Sequence, residues 1–334
     1  MITRRSLISG AASAAGVFTA ARGGRANAAG VPDGRLRFLT NWYAQAEHGG
    51  YYQALATGLY RRAGLDVDIQ AGGPQVNNAQ LLAAGAVDLA IYPDLGILEG
   101  IQRGLPLVMV ATSFQFDPIG ILAHDEITSL ADLKGHKILI AGAMQPIIWP
   151  LLMKQYGFGQ DQLGAYNFNL QPFFIDPTLA MQSYATSEPF DVARKGMKFH
   201  MLLLRDAGFP SYGNPIATST GLLRDHPDVL AAFLAASMQG WKDYLADPEP
   251  ANRLILAANP RMTEERMAFS LAEIRRLGLL TGGDAEKGGI GIMTEARWKQ
   301  NYEFLVGLGM IPTGTNWHRA FDLSLIAKSP VLPA

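Results

Sequence analysis

Apolar and polar positions in this chain fall into short blocks separated by longer stretches with helical spacing. Leu36–Thr40 reads as a strand and Gly50–Ala63 as a helix. Residues 66–70 (DVDIQ) form a second strand, Gln75–Ala84 a helix, and 87–92 (VDLAIY) a third strand. Asp94–Arg103 is helical, and 106–114 (PLVMVATSF) is a buried strand. Short apolar runs separated by helices of this length predict a parallel, doubly wound α/β sheet. Gly58, Gly64, Gly85 and Gly104 stand where these helices should end.

A second unit begins near 117–124 (DPIGILAH) and holds 129–142, a helix from Ile147 to Tyr156, and the segments 165–170 (AYNFNL) and 197–204. Residues 213–223 (GNPIATSTGLL) return the chain to the first unit, and the remainder is mainly helical. Val229, Leu230, Phe233, Leu234, Met238, Trp241 and Leu245 repeat at helical spacing, with Pro227 in the first turn. The expected organisation is a leader at 1–28, a first lobe from 29–117 and 216–334, and a second lobe at 118–215. The connections at Asp117-Pro118 and Asn214-Pro215 would form the hinge.

Composition narrows the function. The formal net charge is -1, and no long run of one sign is present. Nucleic-acid and polybasic membrane surfaces need concentrated positive charge, so neither is expected. There is no cysteine, which excludes disulfides, thiolate metal sites and cysteine nucleophiles. The start of the chain has a basic end with paired Arg4-Arg5, a weakly apolar Ala/Gly-rich stretch, and Ala26-Asn27-Ala28 as a small-residue cleavage site. This is the layout of an export signal, and the two arginines point to the twin-arginine route. The expectation is a monomer in the periplasm, free of the membrane after cleavage.

In open α/β sheets, ligands bind outside the carboxyl ends of the strands. Loops at those ends gather the aromatic residues Trp42, Tyr43, Tyr92, Phe114, Phe116 and Trp149. They also gather Asn41, Gln75, Asp94, Gln115, Gln145 and Glu188, and they contain no lysine or arginine. Rings with a few amides and carboxylates suit a flat heteroaromatic: rings stack, and amides read ring nitrogens and amines. Of the alternating Phe114 and Phe116, Phe114 is assigned to the cleft. Each of these residues also has a structural reading. Trp42 could be core, Tyr51 and Tyr52 on a helix are packing, and Gly72-Gly73 could be only a turn. The six histidines lack metal spacing, so no metal site is expected, and His48 reads as a local hydrogen-bonding residue or a ligand contact.

Residues 38–69, "GGPQ" with "LLAAGAVDLAI", "SLADLKGHKI" and "SEPF" resemble the NMT1/THI5-like family of solute-binding proteins. The resemblance covers nearly all of the chain after the leader. It implies a two-lobed type II periplasmic binding protein. Each lobe would be a mostly parallel sheet flanked by helices, with a ligand cleft between them and delivery to an ABC permease with its ATPase subunits. No cofactor is implied. The family includes binders of thiamine pyrimidine precursors, riboflavin, aliphatic sulfonates and nitrate. It also shares its fold with fungal enzymes that build the thiamine pyrimidine from pyridoxal phosphate and a histidine.

By resemblance, the enzymes' cofactor lysine falls at Tyr92, their donor histidine at Gly96 and their cysteines near 212–220. Their phosphate-gripping turn is replaced by Gly142-Ala143-Met144-Gln145-Pro146, while Asn41, Trp42, His48 and Glu188 match. A Schiff base needs an amine, and the first lysine in the chain is Lys134. The expected function is therefore binding, not catalysis, with a thiamine-pyrimidine-like ligand at Asn41, Trp42, His48, Gln75, Tyr92, Asp94, Phe114, Gln145, Trp149 and Glu188. The alternatives are riboflavin, or a sulfonate or nitrate held by Arg194 or Arg205. A pyrimidine-precursor enzyme is a further alternative.

Overall fold

The computed structural model describes residues 34–333, so the expected leader lies outside the described residues. Ten strands form two sheets: β1 (Leu36–Leu39), β2 (Val67–Gln70), β3 (Leu89–Ile91), β4 (Leu107–Phe114), β5 (Ile119–His124), β6 (Lys137–Ala141), β7 (Leu163–Tyr166), β8 (Leu179–Tyr184), β9 (Phe199–Leu203) and β10 (Gly213–Ser219). The first sheet has the order β2-β1-β3-β10-β4 and the second β7-β6-β8-β5-β9.

Both sheets are mostly parallel, with one reversed strand each. β10 runs antiparallel between β3 and β4, and β5 antiparallel between β8 and β9. The reversal follows from the two crossings. The chain leaves β4 at its carboxyl end, crosses at 115–118, and enters the second sheet from that side. It leaves β9 likewise, crosses at 204–212, and enters the first sheet as β10. A strand that enters from the carboxyl ends of its neighbours must run against them. β10 begins at Gly213, ahead of the boundary expected at Pro215.

Local chemistry shifts two other boundaries. The expected helix 50–63 is two helices, Gly49–Ala56 and Leu59–Arg62, because Gly58 turns left-handed at φ 75°. The helix expected to start at Gln75 starts at Asn78, after Asn77 accepts the Gln80 N–H as its cap. β7 ends at Tyr166, which leaves 167–170 as a loop.

The core of the first lobe is aromatic. Phe38, Tyr51, Tyr60, Phe233 and Trp241 are fully buried. Tyr60 stacks on Phe233 at 5.3 Å, and Tyr51 lies 4.5 Å from Phe38. The long helix Pro227–Ala246 presses on helix Gly49–Ala56 where both carry glycine. A Cβ on Gly240 would lie 2.2 Å from the Gly50 carbonyl oxygen, and one on Gly50 would lie 2.2 Å from the Trp241 ring. Gly240→Ala should therefore cost about 3 kcal/mol, the upper end for overpacking, because backbone cannot step aside. An unfolding free energy from urea titration within about 0.5 kcal/mol of wild type would show that the helices slide apart freely.

Candidate functional site

The site forms where β1 ends. The Asn214 Nδ2 donates to the Glu47 backbone carbonyl at 2.9 Å, so its Oδ1 faces Asn41 as an acceptor. Asn41 Nδ2 donates to that oxygen at 3.1 Å, which turns Asn41 Oδ1 toward His48 Nε2 at 2.9 Å. Direction passes along the chain, so His48 carries its proton on Nε2 and donates to Asn41. His48 is fully buried and Nδ1 has no hydrogen-bond partner. Burial pushes its pKa down to about 3, against a smaller opposing pull from the Tyr43 backbone. A neutral, immobile imidazole positions Asn41, and Asn41 is itself tied to the start of β10 through Asn214.

Beyond Asn41, an aromatic row spans the two lobes. The Trp42 ring, half-buried on the first lobe, lies 4.9 Å from the Phe168 ring of the second. Phe168 lies 5.1 Å from Tyr166, and the Tyr166 hydroxyl donates to Glu188 Oε1 at 3.3 Å. Glu188 Oε2 accepts from the Tyr184 N–H at 2.9 Å and from Ser183 Oγ at 3.2 Å. Burial pushes its carboxyl up. Among the described residues, Phe168 (φ 62°) and Asn214 (φ 49°) are the non-glycine residues with left-handed backbone. Asparagine tolerates that region, but phenylalanine pays for it, on the order of 1 kcal/mol. Backbone strain of this kind collects at working sites. Phe168 is not among the residues expected at the cleft, because the loop after β7 is not among those selected from strand ends. The asparagines on either side of it, Asn167 and Asn169, were the available turn signal.

The lobes also touch directly. Thr186 Oγ1, after β8, donates to Glu47 Oε1 on the first lobe, and Ser270 Oγ donates to the Thr186 carbonyl at 2.6 Å. Arg266 on helix Glu264–Arg276 pairs with Asp191 on helix Glu188–Arg194, and Arg266 lies 4.8 Å over Phe190. Glu47 is buried, and burial raises its pKa from 4.5 to about 7, with Glu188 adding to the rise. Asp117, in the first crossing, is raised to about 7 by burial as well.

A raised carboxyl keeps its proton in the folded state after the unfolded chain has lost it. Stability is then full below about pH 4.5, falls as pH rises toward 7, and levels off above it. Glu47 should contribute up to about 3 kcal/mol to that fall. Glu47→Gln keeps an acceptor for Thr186 and should flatten part of the fall, leaving the Asp117 part. Melting temperatures of both proteins from pH 4.5 to 8 check this; parallel curves would refute it.

The remaining expected contacts do not join the aromatic row. Phe114 is fully buried in the first-lobe core, 5.6 Å from Trp241; the alternation with Phe116 is real, but Phe114 faces the helices. Trp149 is buried in its own lobe, 6.1 Å from Phe158, on the inner face of helix Gln145–Tyr156. Asp94 is fully buried, and protein donors occupy both of its oxygens. The Leu95 N–H and Ser211 Oγ reach Oδ1 at 2.8 and 2.6 Å; the Tyr212 N–H and Asn301 Nδ2 reach Oδ2 at 2.9 and 2.6 Å. Tyr92 lies against Gly96 of helix Asp94–Gln102, where a Cβ on Gly96 would meet its hydroxyl at 2.9 Å. Gln145 spends its Nε2 on the Ile140 carbonyl at 3.0 Å. Gln75 is exposed and has no hydrogen bond among the described residues. Strand ends located these loops correctly; which way each side chain turns depends on packing that only the fold supplies.

One cation borders the row: the Arg261 guanidinium lies 4.5 Å over the Tyr43 ring, itself 5.6 Å from Trp42. Arg194 is exposed beside Phe190, and Arg205 lies over Phe116 at 3.8 Å. Among the described residues no cluster of His, Asp or Glu could hold a metal, and no helix is long and apolar enough to cross a membrane.

Two five-stranded sheets flanked by helices and joined by paired crossings define the periplasmic-binding-protein fold. The aliphatic sulphonate binding protein SsuA of Escherichia coli shares it, at a TM-score of 0.66 and 15% identity over 87% of this chain and 92% of that one. Residues 45–251 match the NMT1/THI5 like family model, and the chain belongs to that family. The riboflavin-binding protein RibY of Chloroflexus aurantiacus is 26% identical, covering 81% of this chain and 80% of its own. The formylaminopyrimidine-binding protein of Halalkalibacterium halodurans is 26% identical over 66% and 69%. A 4-amino-5-hydroxymethyl-2-methylpyrimidine phosphate synthase of Schizosaccharomyces pombe is 25% identical over 64% and 66%.

Proposed function

We propose that this chain is the exported solute-binding subunit of an ABC importer, and that its ligand is a small planar heteroaromatic of the thiamine-pyrimidine kind. The observation that carries the reading is the pair Trp42 and Phe168, rings from opposite lobes, with Tyr166 linking Phe168 to Glu188. The two rings touch each other here, so a flat ligand would enter by parting them, stacking on Trp42 while Phe168 and Tyr166 wall it from the other lobe. Glu188 accepts from its amine, and Asn41 reads its edge. Closing the lobes removes water and strengthens those polar contacts. The closed form then differs in affinity for the permease. The relatives whose names specify riboflavin and formylaminopyrimidine support a ring-shaped ligand.

Two other readings are disfavoured by particular residues. An oxyanion needs an unspent cation; Arg266, in the lobe contact, is neutralised by Asp191, and Arg261 is turned onto the Tyr43 ring at the edge of the row. Enzymatic pyrimidine synthesis needs an amine where Tyr92 stands, and Tyr92 turns onto its own helix. Calorimetric titration of the mature protein with aminopyrimidines, riboflavin and alkanesulfonates tests the proposal. Saturable binding near the micromolar level, about 8 kcal/mol, is expected for an aromatic compound. Binding of sulfonates alone would overturn it.

A further inference from the structure

Away from the aromatic row, a groove of about 600 Å³ opens between the crossings and helix Glu295–Gly307. That volume is within the range of small-molecule sites. Phe209 and Phe304 form an apolar surface, edge to face at 5.8 Å. Arg205 lies flat over Phe116 with its guanidinium carbon 3.8 Å from the ring centre. Among the described residues the Arg205 guanidinium donates no hydrogen bond; its ion-pair partner Asp206 is 3.6 Å away and largely exposed. Opposite, Arg297 is fixed by the Pro210 carbonyl at 2.6 Å and the Gln115 carbonyl at 3.1 Å, through Nε and Nη2. Gln300 adds an exposed amide.

We propose that this groove is a second ligand site, for a small organic carboxylate with an apolar body. The ring under Arg205 fixes its planar fork before a ligand arrives, so little freedom is lost on pairing with a carboxylate. The apolar part of the ligand covers Phe304, whose ring is backed by the buried Phe209. Asp206 and Glu303 on the rim oppose more than one negative charge, which excludes dianions such as phosphate. Phe116 belongs to the first crossing and Arg205 to the second, so one occupant touches both.

Benzoate, benzamide and inorganic phosphate are the probes, titrated into the whole protein by calorimetry and followed by ligand-observed NMR. Benzoate should bind in the millimolar range or tighter, and benzamide and phosphate at least about tenfold more weakly. Arg205→Ala should weaken benzoate roughly tenfold or more, with Arg205→Lys giving little rescue. Trp42→Ala should leave benzoate binding unchanged, which separates this groove from the cleft. Equal binding of benzoate and benzamide, no benzoate binding at about 10 mM, or undiminished binding by a folded Arg205→Ala protein would each overturn the assignment.

Discussion

Replacing Trp42 by alanine should weaken the best aromatic ligand by roughly 100-fold, about 2.7 kcal/mol, and leave the folded protein nearly as stable as before. The two halves of that expectation have separate grounds. Trp42 is half-buried and touches Tyr43 and Phe168 instead of the core, so its loss opens no large cavity. An indole face in a closed cleft is a large apolar surface with defined orientation, and residues of that kind dominate small interfaces. Trp42→Phe should recover much of the loss, because a ring still stacks. Calorimetry on the wild type and both variants, with melting curves alongside, checks the point. Undiminished binding by the alanine variant would remove the stacking wall from the proposal; a fall in melting temperature above about 10 °C would place Trp42 in the fold instead.

Asp94→Ala should be the most damaging single change to stability, at about 4 kcal/mol. The carboxylate accepts from four donors on three segments: the start of helix Asp94–Gln102, the second crossing at Ser211-Tyr212, and Asn301 of helix Glu295–Gly307. Removing it strands those donors in a dry interior. Asp94→Asn keeps the shape but presents an NH2 to a donor, and should still cost about 2 kcal/mol. Urea unfolding of both variants measures this. A loss under about 1 kcal/mol for the alanine would mean that water enters and serves the donors instead.

The sequence showed two sheets with intervening helices because buried strands and helices leave different apolar periods, and the central strands β1, β3, β4, β5, β8 and β10 are almost wholly buried. It could not show the reversed β5 and β10, since reversal depends on which sheet a strand enters. At the site, the loop 41–48 was legible from strand end and composition, and Glu188 from its place before a helix. Phe114, Trp149 and Asp94 have the right residue type in the right loops but turn inward. Their direction is set by distant partners such as Trp241, Phe158 and Asn301. Phe168 was hidden because 165–170 shows no clear strand end, so the loop that follows Tyr166 was not selected.

The place of β10 between β3 and β4 bears on how the chain assembles during synthesis. Until Ser219 leaves the ribosome, β3 and β4 have no strand to sit between them, and the first sheet is split down its middle. Strands β5 to β9, by contrast, emerge as one uninterrupted run and can pair at once. The inserted half is therefore the natural nucleus. The outer half is slow, long-range and exposed to misassembly until a strand arrives from the far side of its completed neighbour.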